Sequence, residues 1–206
     1  MSLFDLSGKV AVITGSSRGI GRAIAERLAE HGAKIVVSSR KAEACKEVAD
    51  AINKKHGKDR AVVVPANISS KDDLKNLVEE TNRKFGKIDI LVCNAAANPY
   101  FGPLGGIQDE QFRKILDNNI LSNHWLTQLV APQMIERREG SIIIVSSIGG
   151  LRGSPALGAY CISKAADLPL RFYLDGSPFI SKRVAGGSLK LKSRIKLDRD
   201  DPKEPR

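Results

Sequence analysis

The chain has 206 residues, 42% hydrophobic and 27% charged, a balance that supports one globular core and excludes an intrinsically disordered chain. No uncharged apolar run reaches the roughly 18 residues of a membrane span, and residues 1–10 lack the pattern of a secretory leader. The formal charge of +10 is uneven, since half of it lies in residues 168–206.

From residue 9 to about 166, short β-branched runs alternate with longer helix-compatible stretches, the order that predicts a parallel sheet covered by helices. Strands are expected at 9–13, 34–38, 61–64, 88–93 and 141–146. Each is almost continuously apolar, as burial on both faces requires. Helices are expected near 20–31, 41–56, 71–85 and 109–137, the last broken near Asn123. Ser70 is placed to N-cap the third helix, and Gly32, Gly57 and Gly86 to stop the first three. After Asp167 the pattern changes: Pro169 interrupts a helix and Gly176-Ser177-Pro178 reads as a turn. Residues 188–192 alternate like a half-exposed strand, and residues 198–206 read as disordered.

The segment Thr14-Gly15-Ser16-Ser17-Arg18-Gly19-Ile20-Gly21 follows the first strand and opens the first helix. Glycines there allow a tight reversal and close approach to pyrophosphate, while N–H groups and the helix dipole face the anion. Gly15 and Gly19 stand one residue wider than in the GxGxxG fingerprint. A site for NAD usually places a carboxylate after the second strand, whereas Ser38-Ser39-Arg40-Lys41 has none. Arg40, with Ser39 and Arg18, is suited to a ribose 2′-phosphate, which points to NADP.

Tyr160 and Lys164 are four apart on a predicted helix and therefore share a face. Lys164 and an oxidised nicotinamide would each favour the phenolate of Tyr160. Ser147 lies just beyond the carboxyl end of the fifth strand, where ligands bind in open α/β sheets. With the glycine turn, Cys93-Asn94-Ala95-Ala96, Asp117-Asn118-Asn119 and Ser146-Ser147, these residues resemble the classical short-chain dehydrogenase/reductase family, in its NADP-dependent carbonyl reductase branch.

The resemblance implies an α/β fold, a Rossmann-type doubly wound parallel sheet with helices on both faces. It implies hydride transfer between NADPH and a ketone or aldehyde, with Tyr160 as general acid/base, Ser147 bonding the substrate oxygen and Lys164 contacting the nicotinamide ribose. Asn119 would help hold a water-linked proton relay. Gly15, Ser17, Arg18, Gly19, Ile20, Gly21, Ser39, Arg40, Asn67, Ile68, Asn94 and Ala95, with Tyr160 and Lys164, would hold the cofactor. No metal is expected, because His31, His56 and His124 are scattered and Cys45, Cys93 and Cys161 show no close pairing. The cysteine usage suits a reducing cytoplasm, and the family implies homo-oligomers, dimers or tetramers.

Two departures stand out. Asn67 occupies a position where the family usually carries an acid near the adenine. The family's strand, lid and glycine-rich end have no counterpart after Asp167, so its C-terminal strands are expected to be missing. Residues 1–167 read as an incomplete family domain and 168–206 as a divergent basic segment. Three origins stay open for that segment: a shifted frame or alternative splice, a functional substitute, or a basic arm that meets phosphates. An alternative function is a catalytically inactive nucleotide-binding or interaction protein. Nucleic acid is the weaker explanation for the basic residues, since charge clusters of this kind are more often solvated.

Overall fold

The computed structural model describes residues 4–170 and 182–184. Its parallel sheet contains β1 (Val10–Thr14), β2 (Lys34–Ser38), β3 (Ala61–Val63), β4 (Ile90–Cys93), β5 (Ser141–Val145) and β6 (Lys182–Val184). The order is β3-β2-β1-β4-β5-β6, so the direction of winding reverses between β1 and β4. The connecting helices are α1 (Gly19–Glu30), α2 (Ala42–His56), α3 (Lys71–Phe85), α4 (Asp109–Leu116), α5 (Ser122–Arg137) and α6 (Gly158–Leu170).

Both faces of the sheet are covered. On one, Ala11, Ile13, Ile35 and Val37 pack with Ala25 and Ala29 of α1 and Val48 and Ile52 of α2. On the other, Val12, Val36 and Leu91 pack with Leu74 and Leu77 of α3 and Leu126, Val130 and Met134 of α5. Neighbouring residues of β1 thus enter opposite cores, which is why that strand is a continuous buried run and not an alternating one. The expected end signals also operate: Ser70 Oγ accepts from the Asp73 N–H, and Gly57 and Gly86 cap α2 and α3.

Three details differ from the sequence reading. The long fourth helix breaks slightly before Asn123, at a π-helical turn (Asp117–Leu121). Polar side chains there compete for the backbone ladder: Asn118 Nδ2 donates to the Lys114 carbonyl, Ser122 Oγ to the Asn118 carbonyl and Asn123 Nδ2 to the Asn119 carbonyl. Pro169 does not end its helix at the preceding residue, since α6 runs to Leu170 and closes just after the proline.

A short strand also falls within the C-terminal segment, at residues where the sequence showed none. β6 lies within residues 168–206 and pairs in parallel with β5, Val184 opposite Val145. Three residues that include Lys182 and Arg183 are too short and too charged to give a strand signal, yet they suit a sheet edge. The expected turn at Gly176-Ser177-Pro178, the alternation at 188–192 and the disordered end at 198–206 lie outside the described residues.

Candidate active site

The glycine turn leaves the carboxyl end of β1 at the point where the winding of the sheet reverses. Gly15 has φ +66, and a Cβ there would lie 3.0 Å from both Ala95 Cα and Asn94 Nδ2. Gly21 is tighter: a Cβ would meet the Gly15 carbonyl oxygen and lie 2.6 Å from Asn94 Nδ2. Only glycine lets α1 start this close to the turn. Four hydrogen bonds tie the turn to the start of the loop after β4. Asn94 Nδ2 donates to the Thr14 carbonyl at 2.9 Å and the Gly15 carbonyl at 3.2 Å. Thr14 Oγ1 accepts from the N–H groups of Asn94 and Ala95 at 3.0 and 3.1 Å.

Arg18 occupies the N-cap of α1 in an extended conformation, without a side-chain cap. The first N–H groups of the helix are therefore not taken by a capping oxygen, and open space lies over Gly19. That arrangement fits an anion such as pyrophosphate.

A cleft of about 820 Å³ extends from this turn. Gly15, Ser17, Arg18, Gly19 and Ile20 line it from the turn, and Ser39 and Arg40 from the end of β2. Asn67 and Ile68 follow β3, and Asn94 and Ala95 follow β4. Gly21 is buried beneath the turn, and Tyr160 and Lys164 are not among the cleft-lining residues. Sequence reasoning missed Ser69 and Lys114, which also line it, and gave no cofactor role to Lys41 and Asn118, which do so too. Lys114 comes from α4, far along the chain, so no local pattern could have marked it. Arg18, Arg40, Lys41 and Lys114 give the lining four cations and no carboxylate.

Supporting contacts refine several assignments. Ser39 Oγ lies 3.2 Å from Cys45 Sγ. The Asn67 N–H donates to Asp73 Oδ2 at 2.8 Å, and this bond, with one from the Ser70 hydroxyl, holds the Asp73 carboxyl below the usual carboxylate range.

Of the residues expected to act in catalysis, Tyr160 and Lys164 lie on α6, and Ser147 precedes a 3₁₀ turn (Ile148–Gly150) after β5. A methyl group at Gly149 would sit 3.1 Å from Cys161 Sγ, 3.5 Å from Ser147 Oγ and 3.8 Å from the Tyr160 ring carbon Cδ1, so Ser147 and Tyr160 lie beside the same turn. Asn119, fully buried in the π turn, accepts from the Ala97 N–H at 2.7 Å and donates to the Ala97 carbonyl at 3.0 Å and Ser163 Oγ at 2.9 Å. Ser163 Oγ in turn donates to the Tyr160 carbonyl at 2.7 Å. The Lys164 ammonium, with the residue only 2% exposed, donates to the Val145 carbonyl at 3.0 Å and to Asp167 Oδ2 at 3.2 Å. Sequence reasoning used Asp167 only as a boundary. Among the described residues no group of His, Cys, Asp and Glu is placed to hold a metal ion.

Residues 9–170 match the family model described as short chain dehydrogenase. The chain belongs to the short-chain dehydrogenase family. Dehydrogenase/reductase SDR family member 4 of Bos taurus is 42% identical over 166 residues, 80% of this chain and 58% of the relative. The Homo sapiens protein of the same name is 41% identical over 166 residues, 80% of this chain and 59% of that one. The chain thus spans less than two thirds of the length of these curated relatives.

Solved members of the family share the architecture. A metagenomic short-chain oxidoreductase in complex with NADP superposes with a TM-score of 0.83 at 32% identity, covering 89% of this chain and 84% of the other. A short-chain dehydrogenase/reductase from Burkholderia phymatum in complex with NAD gives 0.82 at 27% identity, covering 90% and 66%. The family accounts for a doubly wound sheet and a nicotinamide cofactor, while the two neighbours differ in which nucleotide they hold. Among the described residues no helix is long and apolar enough to cross a membrane.

Proposed function

We propose that this short-chain dehydrogenase is an NADP-dependent carbonyl reductase, with residues 1–167 supplying the nucleotide cleft and the proton-handling groups. The observation that carries the reading is the cleft lining, four cations and no carboxylate. Arg40 and Lys41 at the end of β2, with Arg18 from the turn, suit a 2′-phosphate, which a carboxylate there would repel. The free N–H groups of α1 would hold the pyrophosphate, and Asn67 and Ile68 the adenine side.

When bound, the nicotinamide supplies hydride chemistry. The chain's own residues handle the oxygen of the substrate, where negative charge grows during reduction. Tyr160 donates a proton to that oxygen and Ser147 donates a hydrogen bond to it; the two lie beside the same turn at Gly149. Lys164 meets the nicotinamide ribose and favours the phenolate of Tyr160. Asn119 acts chiefly by position, since its amide is bonded to Ala97 and Ser163 and thereby steadies the backbone of Tyr160.

The test has two arms. Titration with NADPH and NADH, followed by nicotinamide fluorescence, is expected to show tighter binding of NADPH; equal binding would refute the cofactor assignment. Reduction of small diketones or aromatic ketones is expected to fall by roughly 10²–10⁴-fold in Tyr160→Phe, the usual contribution of a positioned acid. Reduction at the wild-type rate by that variant would remove Tyr160 from the mechanism. NADPH binding without turnover by the wild type would favour a nucleotide-binding protein that is not a reductase.

A further inference from the structure

We propose that Asp167 is a positioning residue, the buried counter-ion that holds Lys164 and limits how strongly the lysine charge acts on Tyr160. The inference deepens the reductase reading and rests on its Tyr160–Lys164 assignment.

Lys164 and Tyr160 stand four residues apart on α6 and so share a face of that helix. Asp167 lies three residues in the other direction, at a spacing that places both groups on one face of α6. The residues are 2% and 5% exposed, and the ammonium approaches Asp167 Oδ2 to 3.2 Å. Of its three protons, one goes to this carboxylate and one to the Val145 carbonyl at 3.0 Å. One remains for a ribose hydroxyl or the phenol.

Other elements hold the carboxylate in place. Asn123 Nδ2 of α5 donates to Asp167 Oδ1 at 3.4 Å, and the Ser146 hydroxyl beyond β5 donates to the Lys164 carbonyl at 2.9 Å, tying this turn of α6 to the end of β5. Cys93 of β4 is the other titratable group facing the pair among the described residues. Burial, reinforced by Asp167, pushes its thiol up to about 12, so it stays neutral and does not compete for the ammonium. Burial raises the Asp167 carboxyl as well, and the charge of Lys164 offsets part of that rise. Near Tyr160 lie the uncharged Gly149 turn, Ser147 and Cys161, and Lys164 stands one turn along its own helix. A closely paired ammonium and carboxylate present a dipole to the phenol, and a dipole's field falls off faster than that of the single charge which the family mechanism calls for.

The experiment reads Tyr160 directly and needs no turnover. Tyrosinate absorbance is titrated in the wild type, in Asp167→Asn and in the double variant Lys164→Met/Asp167→Leu; Tyr160→Phe supplies the background from Tyr100 and Tyr173. Asp167→Asn unmasks the ammonium and is expected to move the Tyr160 titration to lower pH by about one unit, roughly tenfold in proton affinity. The double variant exchanges a buried pair for apolar side chains, a change proteins often tolerate, and is expected to titrate within about half a unit of wild type.

An unmoved Tyr160 in folded Asp167→Asn overturns the proposal. So does a rise of about one unit or more in the double variant, which decides the matter alone if the single variant does not fold. Failure of the reductase reading is separate: full turnover by Tyr160→Phe would refute that reading even if both titrations behaved as expected.

Discussion

Gly21→Ala tests the phosphate turn without altering any charged or catalytic group. The new methyl would press on the Gly15 carbonyl and lie 2.6 Å from Asn94 Nδ2, whereas ordinary contacts begin near 3.4 Å. Neither neighbour is a free side-chain tip. The first is backbone, and the second is held by bonds of 2.9 and 3.2 Å to the Thr14 and Gly15 carbonyls. Alanine gains about 1 kcal/mol of helix propensity over glycine, but overpacking of this kind costs about 1–3 kcal/mol and displaces the turn. The net expectation is a stability loss of about 0–2 kcal/mol. NADPH affinity should fall by roughly 5- to 150-fold, because the nucleotide needs the turn in its original place. Gly153→Ala, with nothing within 4 Å, serves as the control and should change neither quantity measurably. Fluorescence titration with NADPH and a thermal melt measure both. Wild-type affinity in Gly21→Ala would show that the packing of α1 on the turn does not shape the cleft.

Other substitutions address separate parts of the molecule. Arg40→Asp removes the cation at the end of β2 and should weaken NADPH by roughly 10- to 150-fold, about 1.5–3 kcal/mol, while affecting NADH far less; an unchanged ratio of the two affinities would argue against Arg40 meeting the 2′-phosphate. Ser70→Ala should cost about 1 kcal/mol through loss of the α3 N-cap. It should also shift acid unfolding: the Asp73 carboxyl is depressed by the Asn67 N–H and the Ser70 hydroxyl, so its stabilisation is complete above the ordinary carboxylate range and is lost as pH falls through the depressed value. Without the hydroxyl that loss begins at higher pH, visible by circular dichroism. Asn119→Ala leaves the Ala97 N–H and carbonyl and Ser163 Oγ short of partners and should cost about 2–4 kcal/mol; a melting temperature unchanged from wild type would show that the amide is not a structural tie.

The sheet and the glycine turn were legible for physical reasons that act locally. Burial on both faces leaves Val10, Ala11, Val12 and Ile13 as an unbroken apolar run, and the crowding at Gly21 admits one residue type. What the sequence concealed depends on distant segments meeting. Lys114 reaches the cleft from α4, and Asn119 has partners 22 and 44 residues away. Asp167 lies near Lys164 in sequence, yet a carboxylate three residues on is commonly a solvated surface group; burial makes this one different. β6 is a further case, since three residues cannot display a period.

These distant ties also connect the two halves of the site. Thr14 and Asn94 lock the phosphate turn to the loop after β4, and that loop reaches Asn119 through Ala97. Asn119 bonds Ser163, which bonds the Tyr160 carbonyl. Every link is an uncharged amide, hydroxyl or backbone group, so the distance between the nucleotide turn and the proposed acid is set by short-range directional bonds that salt does not screen. The cations at the cleft have the complementary character. Arg18 and Arg40 are exposed, so their attraction for phosphate weakens with ionic strength while the frame beneath them keeps its geometry. Under the proposed function, charge at the surface would serve capture and neutral hydrogen bonds alignment. The buried Lys164–Asp167 pair brings a charged group into the aligned interior and balances it there.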